Sequence, residues 1–232
     1  GVPDAFQQQQ ALQYIRKEIP HIPVQADGLP HEDLELVSTT NWQPYTWSVN
    51  NVALAENLNT ALAFWQGGNP EAGYKLFESA LVESMYLGAS PGGFQQLSFY
   101  DAIRGELYRD FADPIGLASR ALVEGLFGIQ PNLLEHKLKI KPGFPEEWEY
   151  ASLNLPDLDV AFKKTGNESV YHIVNKFKTD VDLELELSIN TTAIKAVLVN
   201  GNPVNYHPVA EAIGKPKTLI PAGIHKNYTI QV

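Results

Sequence analysis

The sequence contains no cysteine. Disulfides, thiolate metal sites and cysteine nucleophiles are excluded by that alone, although the compartment is not fixed by it. There is a single methionine, no apolar run near the ~18–20 residues of a membrane-spanning helix, and no signal-peptide core at the start. The first residue is Gly rather than Met, which leaves room for a targeting segment ahead of it. Positive charge is also scarce: 17 Lys and Arg face 27 Asp and Glu, a formal charge of −10. That balance speaks against an electrostatic grip on nucleic acid or an anionic membrane. The scarcity is local. Residues 1–133 carry six basic against fifteen acidic residues, and residues 134–232 carry eleven against twelve.

Several chemical signatures are missing too. No Gly-x-Ser-x-Gly elbow is present, and Gly92-Gly93 runs into Phe94 with no Lys behind it, so there is no phosphate loop. The six histidines, at 21, 31, 136, 172, 207 and 225, show no metal-ligand spacing. Asp157/Asp159, Asp180/Asp182 and Glu184/Glu186 put carboxylates on single strand faces, where the ordinary reading is a water-facing surface. No cofactor and no metal are expected. Three N-glycosylation triplets, at Asn167, Asn190 and Asn227, matter only in a secreted eukaryotic context.

What is present is an ordinary globular composition, 44% hydrophobic and 10% aromatic over 232 residues, enough for one large domain or two modest ones. The period changes near residue 134. Before it the pattern is helical. Ala5–Ile19 places Phe6, Leu12, Ile15 and Ile19 near one face and ends at Pro20. Residues 20–49 read as irregular. Asn50 or Asn51 is placed to cap a helix with Ala55, Leu58, Leu62 and Trp65 at helical spacing. Gly67-Gly68 stops it, and Pro70 opens a third helix with Tyr74, Phe77, Leu81 and Met85 on one stripe. Asp113-Pro114 opens a fourth through Leu117, Ala121, Leu122 and Leu126. After Pro131 the period is two, in Leu138/Ile140, Leu153/Leu155, Leu158/Val160/Phe162, Val170/His172/Val174, Val181 to Ile189 and Tyr228/Ile230/Val232. Asn200-Gly201 is a type I′ hairpin turn signal. The reading is an α+β chain of two modules: about four helices in residues 1–133, then an antiparallel β-sandwich in residues 134–232.

Three stretches resemble a known family: Ser119 to Pro131 with its "EGLFGIQP", Lys139 to Trp148 with "IKPGFPEEW", and Val197-Leu-Val-Asn-Gly201. Over roughly residues 38–205 the chain is similar to the end of a six-hairpin (α/α)6-toroid glycosidase, where the last barrel helix passes into a β-sandwich. The relatives implied are α-L-rhamnosidase-like hydrolases and inverting disaccharide phosphorylases. A toroid of twelve helices takes at least ~250 residues before any sandwich. The resemblance therefore implies the last third of a toroid, with the remaining helices in a longer parent or lost. The exposed helical edge would then be covered by that parent or by a second copy. The compartment is left open, a periplasmic or extracellular one suiting the resemblance.

Glycoside hydrolysis needs two carboxyls about the scissile bond. In rhamnosidase-like enzymes the segment before the last helix pair supplies an acidic residue beside an aromatic, which the resemblance carries to Tyr100-Asp101 and to Glu106. No Trp-Glu pair of that family stands in residues 88–114. Asp101 and Glu106 are the catalytic candidates, against the plain alternative of a solvated helix face with Arg109 and Asp110. Trp42, Tyr45 and Trp47 in one short loop, with Gln95 and Tyr100, are the substrate-binding candidates, because amphipathic rings suit sugar C–H faces. Their alternative is core filling, the role expected of Trp65 and Trp148. The expected function is a part of a carbohydrate-active protein, inactive by itself. A glycan-binding or assembly module is the rival reading.

Overall fold

In the computed structural model, residues 4–25, 28, 33–38, 52–86, 113–210 and 212–232 are described. The chain forms two compact units, residues 1–122 and 123–232. The fold is α+β, with four helices and mostly antiparallel strands among the described residues.

In the first unit, helix α1 (Ala5–Glu18) starts on a capping box. The Asp4 carboxylate accepts from Gln7 N at 2.8 Å, and the Gln7 side chain accepts from Asp4 N at 3.1 Å; two otherwise orphan donors are satisfied. The helix stops because Ile19 precedes Pro20 and is held extended. Of its apolar residues only Leu12 is buried, and Phe6 is 70% exposed, against the expected shared face. Leu12 needs its seat to be a glycine: a Cβ on Gly67 would lie 2.2 Å from Leu12 Cδ1. Arg16 adds a guanidinium 5.2 Å over the Phe64 ring.

Helices α2 (Leu54–Gln66) and α3 (Pro70–Leu81) pack together as an antiparallel hairpin. Gly67 N and Asn69 N donate to Ala63 O and Phe64 O, closing the turn, and Asn69 Oδ1 accepts from Ala72 N to cap α3. Gly73 gives Trp65 room, since a Cβ there would come within 2.9 Å of the indole. The N-cap of α2 is Ala53, which has no side-chain bond, rather than Asn50 or Asn51; both asparagines lie outside the described residues. The cause is Asn57. Its Nδ2 donates to Ala53 O and Val37 O while its Oδ1 accepts from Val37 N at 2.7 Å. This fully buried amide extends a small sheet that the irregular reading of residues 20–49 missed, made of β1 (His21–Pro23) and β2 (Glu35–Val37).

After Leu81 the α3 ladder widens into a π-helical stretch, Val82–Tyr86. The buried face of α3 is Gly73, Leu76, Phe77 and Ala80, continued by Ser84, and Met85 is 46% exposed. The expected stripe ending at Met85 is thus corrected, because a wider turn changes the angle per residue. Helix α4 (Asp113–Arg120) packs on α2 and widens in the same way over Ala121–Leu126.

The second unit is built on two sheets that each bury one face. Strand β3 (Ile129–Asn132) turns through a short 3₁₀ segment into β4 (Lys137–Ile140). Then come β5 (Tyr150–Asn154), β6 (Leu158–Thr165), β7 (Glu168–Asn175), β8 (Asp182–Leu187), β9 (Leu198–Val199), β10 (Asn202–Pro203), β11 (His207–Pro208), β12 (Thr218–Gly223) and β13 (Asn227–Gln231). The six-stranded sheet runs β10-β9-β13-β7-β6-β5 and the five-stranded sheet β11-β12-β8-β4-β3. All pairs are antiparallel except β4 with β8, which is parallel. That corrects a wholly antiparallel reading: three strands of the other sheet intervene, a connection long enough to permit it.

Leu158, Val160, Leu183, Leu185, Ile220, Tyr228 and Ile230 lie on the buried faces. On β7 the inward residues are Tyr171, Ile173 and Asn175, so Val170, His172 and Val174 belong to the outer face. The register decides this, pairing Tyr171 with inward Phe162 and Ile173 with inward Val160. The "IKPGFPEEW" stretch is an aromatic stack: Phe144 lies 5.1 Å from both Phe127 and Phe162, and half-buried Trp148 stacks on Phe144 at 6.0 Å. Asn200 and Gly201 have φ of 51° and 80°, as the type I′ turn requires.

Candidate functional site

The seven candidate residues, Trp42, Tyr45, Trp47, Gln95, Tyr100, Asp101 and Glu106, lie outside the described residues. What the structure describes is the frame from which their two segments depart. Because α2 and α3 run antiparallel about the 67–69 turn, the start of α2 and the end of α3 share one end of the hairpin. Segment 39–51 enters at that end and segment 87–112 leaves from it. Val52, Ala53 and Leu54 are buried there and fix the entry.

Glu83 occupies the exit, in the π-helical stretch. It is half-buried, and removal from water pushes its carboxyl above the ordinary glutamate range. A carboxyl that keeps its proton nearer to neutrality is what a general acid requires. Composition and motif reading passed over it, yet a signal was present: Glu83 stands seven residues after Leu76 and three after Ala80, a charge on the buried helical stripe.

A second polar cluster in this unit joins His21, Glu35, Lys75 and Ser79. Glu35 Oε1 lies 3.1 Å from His21 Nδ1 and 3.3 Å from Lys75 Nζ. His21 Nε2 faces Ile15 O at 3.2 Å, and Ser79 Oγ donates to Lys75 O while accepting from Glu35 N. The serine and histidine are each committed elsewhere, so the cluster fastens α1, β2 and α3 and is not a nucleophile with its base.

In the β unit, Glu186 is 6% exposed, against the water-facing reading of its strand. Lys141 and Lys217 approach it at 3.5 and 3.6 Å and Lys139 at 4.0 Å, while Lys139 also meets Glu184 at 3.2 Å. Burial, ahead of its lysine neighbours, holds the Lys141 amine below the ordinary lysine range. The Asp159 carboxylate is held by Lys176 at 2.7 Å. Among the described residues no three His, Asp or Glu side chains gather to hold a metal ion. No described helix is long and apolar enough to cross a membrane.

The fold matches that of an α-L-rhamnosidase. The solved structure is the enzyme from Dictyoglumus thermophilum, with a TM-score of 0.51 and 13% sequence identity. The match takes in 77% of this chain and 20% of the rhamnosidase, so the chain spans about a fifth of that protein. No family model and no curated protein matches the sequence. At this identity the likeness is one of fold.

Proposed function

We propose that this chain is the C-terminal portion of a carbohydrate-active, glycoside hydrolase-like protein, in which the helical hairpins line one wall of a glycan cleft and the β unit buttresses them. The observation that carries this reading is the fold likeness to a rhamnosidase over 77% of the chain. In this reading the helices are part of an incomplete (α/α) toroid, with the sequence boundary between modules at 133/134. Trp42, Tyr45 and Trp47 stack on sugar faces, Gln95 and Tyr100 hydrogen-bond hydroxyls, and Asp101 or Glu106 serves as base or orienter. Glu83, with its raised proton affinity, is the acid available on the same end of the hairpin.

One wall is not a complete active site, so the chain alone does not hydrolyse p-nitrophenyl α-L-rhamnoside. Titration with rhamnose-containing oligosaccharides, followed by tryptophan fluorescence, tests the binding. A saturable change lost in Trp42→Ala and Trp47→Ala supports the site. No change in the parent chain removes it and leaves those rings as core. The second reading, an assembly module, draws on the helical unit's exposed Phe6, Tyr14, Met85 and Ile115, which a parent's further hairpins or a second copy would cover.

A further inference from the structure

The outer faces of the two sheets of the β unit differ in chemistry. On the five-stranded sheet the outward charges of β4, of Lys141 just past it and of β8 are paired, Lys139 with Glu184 and Lys141 with Glu186. The six-stranded sheet has no such ladder. Its register lines up three outward rows: Tyr150–Lys163–Val170–Gln231, Ser152–Ala161–His172–Thr229, and Asn154–Asp159–Val174–Asn227. The middle row carries no fixed charge; Lys163 and the Asp159–Lys176 ion pair stand beside it, and Glu168 lies one row beyond, accepting from Gln231 Nε2.

Two features of this face are not those of a merely solvated strand surface. Apolar groups stand on it in the open, with Tyr150 79% and Val174 36% exposed. Beside them is a set of neutral donors and acceptors: Ser152, Asn154 and Asn227 are exposed, and His172 Nδ1 meets Thr229 Oγ1 at 3.2 Å. The short side chains of Ser152 and Ala161 stand between Tyr150 and His172. Two strand spacings, roughly 10 Å, lie between β5 and β7. That is the reach of about two linked sugar rings.

We infer that this face binds a neutral glycan, with Tyr150 stacking on a sugar ring and His172, Thr229, Asn154 and Asn227 bonding its hydroxyls. The lack of charge on the middle row commits the ligand class. Desolvated fixed charges would penalise a neutral polyol, whereas amides, hydroxyls and an imidazole match it. The choice of a glycan rests on the carbohydrate reading above, but every residue named here belongs to the β unit and none is among the candidates of residues 38–114.

The test is affinity electrophoresis of the full chain in gels containing galactomannan, mixed-linkage β-glucan or arabinoxylan, with polygalacturonate as an anionic comparator. The expected result is retardation by at least one neutral polymer. It should weaken about tenfold in Tyr150→Ala, the loss of one aromatic anchor, and in Ser152→Arg, which puts a long charged side chain at an exposed position beside Tyr150. Leu134→Ala, exposed after β3 of the other sheet, is the control that should leave it unchanged; Trp42→Ala and Trp47→Ala are run beside it, and which variants lower retardation tells the two sites apart. Circular dichroism melting confirms that each variant is folded. Four outcomes overturn the inference: no retardation by any neutral polymer, retardation untouched by both face variants, retardation lost only in the tryptophan variants, or retardation by polygalacturonate alone. A concentration-dependent sedimentation shift abolished by Tyr150→Ala would also overturn it, assigning the face and its open β5 edge to a second copy.

Discussion

Two glycines with the same sign of φ carry different burdens. Gly128 has φ of 65° and stands where a Cβ would fall 1.9 Å from Lys141 O, whose own amide donates to Gly128 O. Gly201 has φ of 80° with nothing within 4 Å of its missing Cβ. Gly201→Ala should therefore cost only backbone strain, about 1–2 kcal/mol. Gly128→Ala adds a clash between two backbones, and its loss should exceed about 3 kcal/mol in urea melts. Glu83 gives a pH-dependent expectation. Its folded carboxyl binds its proton more tightly than the unfolded one, so its contribution is fully present below the ordinary glutamate pKa. That contribution is lost as pH rises through the folded value. Glu83→Gln should raise Tm by roughly 2 °C at pH 8 and leave it unchanged at pH 3. A shift of equal size at both pH values would assign the effect to packing instead.

At the level of elements, one short strand depends on a side chain. Strand β2 is three residues long, and Asn57 of α2 supplies both an acceptor and a donor to its Val37. Asn57→Leu would strand two buried backbone groups and should destabilise by about 2–4 kcal/mol. Hydrogen exchange should show protection lost first at Ile22 and Val37, before the α2–α3 hairpin. This dependence explains why the pair was illegible in sequence. Pro20 and Pro23 argue against a strand, and the amide that completes the ladder lies on a helix. By contrast, Gly67-Gly68 before Pro70 and Asn200-Gly201 before β10 specify their turns locally, and both are read directly from sequence. The face of β7 was not, because Val170, Tyr171, His172, Ile173 and Val174 alternate acceptably in either phase. Only the partners on β6 and β13 choose. The π-helical stretches escaped for a similar reason: spacing assumes a fixed angle per residue, and Ser84, bonding back to Ala80 O, departs from it.

For the molecule as a whole, the exposed apolar side chains of the helical unit give an expectation for solution. Helix α1 buries only Leu12 and leaves Phe6 and Tyr14 in water. Sedimentation velocity should show association that rises with concentration, and Phe6→Glu should reduce it without altering the far-ultraviolet spectrum. A monomer at every concentration would remove the assembly reading. The candidate sugar site was legible only as residue types, since aromatics and carboxylates announce a chemistry but not a mutual position. The frame that carries their segments, the shared end of α2 and α3, followed from the turn at Gly67-Gly68. The insertion of β13 between β7 and β9 has a consequence for how the β unit is made. The strand latest in chain order fills a central slot of its sheet, and β4 must likewise wait for β8 to pair alongside it. Neither sheet can be completed progressively as the chain lengthens, so this unit folds late, in one non-local step, and slowly. Until then β7 presents an unpaired edge, which makes the nascent chain dependent on whatever shields it.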